Sequence, residues 1–177
     1  MTRKLKSQQR DDFRTEPLGK RHDRAAFSSG IEALDKYLKT QASQDVSKHV
    51  AACFVLTPDG ETIAGFYTLS QYSVDAGALP DQITKKFPKY PELPATLLGR
   101  LALSDRFKGQ RLGEFLLMDA LYRSLLQSEK IASAAVIVDA KNEKAKTFYE
   151  HFDFIPLPEL PNRLFLLMTT IEELFTE

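Results

Sequence analysis

Leu97-Leu98-Gly99-Arg100-Leu101-Ala102-Leu103-Ser104-Asp105-Arg106-Phe107-Lys108-Gly109-Gln110-Arg111-Leu112-Gly113-Glu114-Phe115-Leu116-Leu117 is the stretch from which the fold can be read. It opens as an apolar strand, passes through a short basic turn that holds glycine, and closes as the start of an amphipathic helix. Strand, turn and helix N-terminus in that order let backbone N–H groups converge on an anion. Gly109 and Gly113 allow close backbone approach, and Lys108 and Arg111 add positive charge, so a pyrophosphate is the partner this turn suits. The same residues also satisfy a plain strand–helix turn in which the glycines serve only backbone geometry.

Working outward, Leu112, Phe115, Leu116, Ala120, Leu121 and Leu125 keep helical spacing, which predicts a helix to about Gln127. Ile131–Ala140 reads as a second buried strand, and Glu143–His151 as a short helix. Two strand–helix units in succession place their strands in parallel with a right-handed crossover. Phe154-Ile155 and Leu164–Thr170 read as the last strands, and Ile171–Phe175 as a terminal helical turn. Upstream, Val50–Thr57 and Thr62–Tyr72 flank Pro58-Asp59-Gly60, a hairpin signal. Phe13–Leu18 is a first strand and His22–Phe27 a short helix. A further helix runs from the break at Ser28-Ser29-Gly30 to about Ser43. Pro80, Pro88, Pro91 and Pro94 forbid a long helix across Ala78–Pro94 and make it a shaped loop with a turn or two around Asp81–Lys86. The expected fold is α/β: a mixed, mostly antiparallel sheet with one parallel βαβ unit and helices on both faces. It forms a single domain over 13–177, preceded by a flexible arm over 1–12.

Composition excludes several classes. The chain has 177 residues, 43% of them hydrophobic and 27% charged, an ordinary balance for one core-bearing domain. No apolar run is long enough to cross a bilayer, and the basic start lacks an apolar segment to follow it. Cys53 is the only cysteine, which rules out an intrachain disulfide and points to a reducing, cytoplasmic setting. His22, His49 and His151 lack ligand spacing, and no metal is expected. Net charge is zero, yet Lys85–Arg111 holds seven Lys or Arg against two acidic residues, while Glu150–Glu177 holds one Arg against six. Charge alone favours two solvated faces; the sharper alternative is a basic surface beside the opening motif and an acidic tail elsewhere.

Two signatures carry a resemblance. The first is the strand with Lys108-Gly109-Gln110-Arg111-Leu112-Gly113; the second is Asn142-Glu143-Lys144-Ala145-Lys146-Thr147-Phe148-Tyr149, ending in Asp153-Phe154. Together they resemble the GNAT superfamily of N-acetyltransferases. Lys108 stands where that family carries Gln or Arg, while Arg111 and Asp153 stand where it carries Gly. Phe27-Ser28-Ser29-Gly30, Leu34–Leu38, Gly65–Ser70, Tyr90–Ala95 and Leu98–Ala102 extend the likeness to the GNAT toxins of bacterial toxin–antitoxin pairs, covering the chain from about Phe27 to Leu166.

The resemblance implies a GNAT-like acyl-CoA N-acyltransferase fold and acetyl-CoA as donor. Leu101, Ala102 and Leu103 would pair with the pantetheine arm like an added strand. The turn Lys108, Gly109, Gln110, Arg111, Leu112, Gly113, with Asn142, would hold the rest of the cofactor. Tyr149 would donate to the departing thiolate, and a phenol with a reference pKa of about 10 is protonated for that task at neutral pH. No carboxylate stands out as a general base, which favours an α-amine acceptor with a reference pKa near ~8 over a lysine. In the toxin branch that acceptor is aminoacyl-tRNA, whose acetylation blocks translation. Lys85, Lys86, Lys89 and Arg100 are the candidates to meet RNA phosphates, and Tyr72, Phe87 and Tyr90 fall near the acceptor by the same likeness. A ribbon-helix-helix antitoxin encoded nearby and a homodimer are the further partners implied. A GNAT enzyme for a small or protein amine, and a degenerate GNAT binding module, are the alternatives. Cys53, among apolar neighbours, reads as a structural residue rather than an acetyl carrier.

Overall fold

The computed structural model describes residues 12–176, so the expected arm lies, but for Asp12, outside the described residues. Seven strands follow one another in a mixed sheet in the order β1-β2-β3-β4-β5-β7-β6. They are β1 (Arg14–Pro17), β2 (Ala52–Thr57), β3 (Gly65–Asp75), β4 (Glu92–Leu103), β5 (Ala135–Asp139), β6 (Ile155–Pro156) and β7 (Arg163–Leu167). Among the described residues six α-helices accompany them: α1 (Glu32–Thr40), α2 (Ala42–Ser47), α3 (Asp81–Thr84), α4 (Leu112–Ser128), α5 (Glu143–His151) and α6 (Met168–Phe175). β4 and β5 run parallel, and the pairs β1–β2, β2–β3, β5–β7 and β6–β7 run antiparallel. The mixed sheet in which β4 and β5 run parallel is thus the fold expected. Among the described residues no helix is long and apolar enough to cross a membrane.

The chain forms two compact units. One runs up to Leu69 and takes in Arg100–Asp119. Its core gathers Phe27, Leu34, Tyr37, Leu38, Val55, Ile63 and Phe66. α1 contributes Leu34, Tyr37 and Leu38 because these three recur on one helical face. The hairpin joining β2 to β3 turns on Asp59, whose Oδ1 accepts the N–H groups of Glu61 at 2.9 Å and Thr62 at 2.7 Å, and on Gly60 at φ +86°.

The other unit comprises Ser70–Gly99 and Ala120–Glu177. Its core is Val74, Leu79, Leu93, Ala95, Ala135, Ile137, Leu157, Phe165 and Leu167. β5 pairs Ala135 with Leu167 and Asp139 with Arg163, so it is flanked by strands and carries an unbroken apolar run.

Four local expectations are corrected. His22–Phe27 is not helical: Asp23 Oδ1 accepts the N–H groups of Ala25 at 3.0 Å and Ala26 at 3.3 Å, a side-chain turn that competes with helix. His22 is meanwhile drawn to β1, its Nε2 lying 2.6 Å from Glu16 Oε1 and its Nδ1 accepting from Gly19 N–H at 2.9 Å. The helix expected to Ser43 breaks at Gln41, after Thr40 turns its hydroxyl back to the Lys36 carbonyl at 2.7 Å. β4 begins at Glu92 inside the proline-rich stretch. Its pairing with β5 starts only at Thr96, so Pro94 removes no donor from that ladder. Finally, the segment expected as a strand to Thr170 turns helical at Met168.

Candidate active site

The opening stretch folds as read. β4 forms rungs with β5 at Thr96, Leu97 and Leu98 and then runs on to Leu103. A single 3-10 turn over Asp105–Phe107 follows, then the Lys108–Arg111 turn, then α4. Gly109 sits at φ +82° and Arg111 at φ +58°, both left-handed. The carbonyl of Arg111 accepts the N–H of Phe115 at 3.3 Å, so α4 takes up its ladder there. The N–H groups of the helix's first turn have no carbonyl one turn back to receive them, which is the property that favours an anion. Leu112, Leu116 and Leu117 are buried and anchor the helix start, while Lys108, Gly109, Gln110 and Arg111 are exposed.

The turn is fastened from behind by the Ser28–Gly30 loop, which the sequence marks only as the break before a helix. Lys108 Nζ donates to the Ser29 carbonyl at 2.7 Å and sits 2.7 Å from Asp105 Oδ1. The Asp105 N–H donates to the Ser28 carbonyl at 2.8 Å. The Lys108 ammonium is therefore engaged within the protein, and Arg111 is the outward-facing cation of the turn. Gly65 was missed in the same way. A Cβ built on it would stand 2.8 Å from the Ala102 carbonyl oxygen and 2.9 Å from Leu103 Cδ2. Only glycine lets the backbone lie against Ala102–Leu103 there. The signal lay in the two glycine-bearing blocks, Phe27–Gly30 and Gly65–Ser70, which a sequence alone does not place beside the turn.

Arg100 lies over the ring of Tyr37, 3.5 Å from its centroid, and the Tyr37 hydroxyl donates to Asp45 Oδ2 at 2.8 Å. Burial is the main cause pushing the Tyr37 phenol well above its ordinary range. Cys53 is buried, and its thiol is pushed up to about 12, chiefly by desolvation. A thiol so far from ionisation is a poor nucleophile, which agrees with its structural reading.

On α5, Asn142 is the N-cap, its Oδ1 accepting the Ala145 N–H at 2.8 Å. Tyr149, near the other end, is 7% exposed. The helix closes in a Schellman motif: Phe154 N–H donates to the Tyr149 carbonyl at 3.2 Å and Asp153 N–H to the Glu150 carbonyl at 3.0 Å. Asp153, at φ +70°, takes the left-handed position, and the ring of Phe154 packs 5.4 Å from that of Tyr149. Tyr149 is thus fixed at its backbone and its ring. Among the described residues its hydroxyl has no hydrogen-bond partner. Burial raises its phenol pKa, so it stays protonated throughout the neutral range.

The likeness to known proteins agrees with this geometry. No family model matches the sequence. The tRNA-acetylating toxin of Mycobacterium tuberculosis is 37% identical over 146 residues, 82% of this chain and 86% of that protein. The probable toxin TacT of Sinorhizobium fredii is 32% identical over 168 residues, 90% of this chain and 93% of that protein. The chain belongs to the GNAT toxin family. Among solved structures, AtaT complexed with acetyl-methionyl-tRNAfMet superposes at a TM-score of 0.86 with 32% identity, covering 93% of this chain and 99% of that one. AtaTR bound with acetyl-CoA is similar at 0.82 and 33% identity, and the KacTA–DNA complex at 0.77 and 29%.

Lys85, Lys86 and Lys89 are exposed on the loop after α3. Tyr72 accepts a hydrogen bond from Arg163, which also forks onto Asp139 at 2.8 and 3.1 Å; Asp139 holds the guanidinium's pKa above its usual value. Phe87 is partly buried and packs against the core of its unit. Among the described residues no group of His, Cys, Asp and Glu is placed to hold a metal.

Proposed function

We propose that this GNAT toxin transfers an acetyl group from acetyl-CoA to the α-amine of aminoacyl-tRNA, and so blocks translation in the cytoplasm. The observation that carries the reading is the strand–turn–helix of 97–117. β4 runs on to Leu103 beyond its rungs with β5, and the turn that follows is held open by left-handed backbone at Gly109 and Arg111. Relatives that acetylate tRNA or bind acetyl-CoA share the fold over nearly the whole chain.

In this reading the backbone of Leu101, Ala102 and Leu103 pairs with the pantetheine amides as an added strand. The N–H groups of 109–113 receive the pyrophosphate. Arg111 adds a charge-assisted contact, and Lys108 braces the turn through Ser29 and Asp105. Asn142 caps α5 with its carbonyl oxygen and keeps its amide donors for the cofactor. Lys85, Lys86, Lys89 and Arg100 draw in the RNA.

The neutral amine attacks the thioester carbonyl carbon; a C–N bond forms and the C–S bond breaks. The amine loses its proton to solvent, and the sulfur leaves as thiolate. Tyr149 donates its hydroxyl hydrogen bond to that sulfur. The phenol is protonated at neutral pH, so it passes its proton to that sulfur to give the CoA thiol, and the phenolate so formed is reprotonated from solvent, which has taken up the proton the amine released. An α-amine with a reference pKa near ~8 needs little help to be neutral, consistent with the lack of a dedicated base.

Solved relatives in complex with the antitoxin AtaR support a partner of that kind for this chain. The decisive test incubates the full chain with acetyl-CoA and charged tRNA, and follows acetyl groups on the aminoacyl end. Transfer to charged tRNA, and none when the α-amine is already blocked, is expected. Turnover of free amines without transfer to any charged tRNA would overturn the substrate. Tyr149→Phe keeps the ring and its packing; it should lower kcat by about 10²-fold or more, and a parent-like rate would remove Tyr149 from the mechanism.

A further inference from the structure

The loop between α3 and β4 is built to hold one aromatic ring in the open. Phe87 N–H donates to the Thr84 carbonyl at 3.1 Å, Lys86 N–H to Ile83 at 3.0 Å, and the Thr84 hydroxyl to the Ala76 carbonyl at 3.1 Å. Ile83 and Phe87 pack onto the core of their unit. Beyond them the Tyr90 N–H closes onto the Pro88 carbonyl at 2.9 Å, and the Pro91 carbonyl accepts the Ala76 N–H at 3.0 Å. Two prolines therefore bracket Lys89-Tyr90, and both ends are tied down, so the loop pays little further entropy on binding.

Tyr90 is nonetheless 63% exposed, the most exposed large apolar side chain among the described residues. Its ring has no aromatic, cationic or hydrogen-bonding partner among the described residues, unlike Tyr122, whose ring lies 5.1 Å from that of Phe175. Lys85, Lys86 and Lys89 are exposed on the same loop, and no acidic residue interrupts them between 85 and 89.

A solvent-facing ring on a tied-down loop that also carries three exposed lysines matches single-stranded nucleic acid, where bases stack on aromatic faces and lysines neutralise phosphates. A duplex would use the lysines and leave the ring idle. A protein partner would call for a cluster of buried anchors, and this loop offers a single ring.

We infer that Tyr90 is a base-stacking platform for the unpaired end of the RNA acceptor, with Lys85, Lys86 and Lys89 on its phosphates. The identity of that acceptor rests on the aminoacyl-tRNA reading above; the stacking itself does not. The platform acts on binding and leaves the transfer step alone.

The test compares Tyr90→Ala and Tyr90→Phe with the parent in two assays. In acetyl transfer, Tyr90→Ala should raise KM for charged tRNA about 5- to 150-fold. kcat, KM for acetyl-CoA and turnover of the same amino acid as a simple ester should stay unchanged. Tyr90→Phe keeps the stacking face and should behave as the parent. In direct titration, a fluorescein-labelled single-stranded oligoribonucleotide should lose affinity by a similar factor with Tyr90→Ala only, and the parent's affinity should fall steeply with salt. An unchanged KM and oligonucleotide affinity in Tyr90→Ala overturns the inference, as does a Tyr90→Phe as impaired as Tyr90→Ala, or an equal loss on the ester. If the parent acetylates no charged tRNA but binds the oligonucleotide through Tyr90, the stacking inference stands and the aminoacyl-tRNA reading falls.

Discussion

Arg111→Gly should move stability and cofactor affinity in opposite directions. Arg111 is held at φ +58°, where a residue with a Cβ pays about 1–2 kcal/mol that glycine does not. Glycine returns about 0.5–1 kcal/mol of this through the greater freedom of its unfolded chain. The net is a stabilisation of about 0.5–1 kcal/mol, or roughly 1–4 °C in Tm for a chain of this size. The side chain is exposed, and its loss removes one charge-assisted contact to a pyrophosphate. That is worth about 1.5 kcal/mol, so acetyl-CoA should bind about tenfold more weakly. Thermal unfolding without ligand and calorimetric titration with acetyl-CoA read the two effects separately. Arg111→Ala is the control: it keeps the strained backbone and loses the charge, so its affinity should fall as for glycine while its Tm gains nothing. Unchanged or tighter acetyl-CoA binding by Arg111→Gly would show that the guanidinium crowds the turn and does not serve it. A lower Tm for Arg111→Gly would refute the backbone argument.

Two further outcomes are expected. Gly65→Ala forces a Cβ to 2.8 Å from the Ala102 carbonyl oxygen; it should cost about 2 kcal/mol or more in denaturant unfolding, and weaken acetyl-CoA binding by shifting Leu101–Leu103. Stability should also fall in acid because of Glu16, whose carboxyl is lowered to about 2 by hydrogen bonds from Arg21, His22 and Arg14. A depressed carboxyl stabilises fully above its unfolded pKa, and that contribution disappears as pH falls from about 4.5 through 2. After allowance for solvent screening it is about 1–2 kcal/mol, and Glu16→Gln should flatten that part of the pH–stability curve.

The fold was legible where periodicity and local geometry agree. The α4 stripe, the Asp59-Gly60 hairpin and the small-residue run that became β5 each declared an element, and two strand–helix units in succession fixed the parallel pair β4–β5. Sequence reading failed where side chains redirect the backbone. Asp23 turned 22–27 away from helix, and Thr40 ended α1 early through its own hydroxyl. These are local hydrogen bonds between particular atoms, and they leave no period to detect. The proline-rich stretch hid the start of β4 for a related reason: Pro94 is incompatible only with rungs that need its N–H, and which rungs those are depends on register.

Of the candidate site, the sequence displayed two signatures but not the contacts that support them. Arg111 and Asp153 are the two positions where the sequence departs from the glycines of its family, and both are left-handed. Glycine's place in the signature is therefore a statement about φ, and each substitute meets the same requirement differently. Aspartate tolerates the left-handed region, and at 153 it completes the Schellman motif that fixes Tyr149. Arginine has no such ease, so its presence at 111 carries a backbone cost that the proposed pyrophosphate contact would offset. That contact would account for an outward-facing cation on strained backbone at this turn. In the proposed reading, position 111 is where backbone strain and the binding of acetyl-CoA meet.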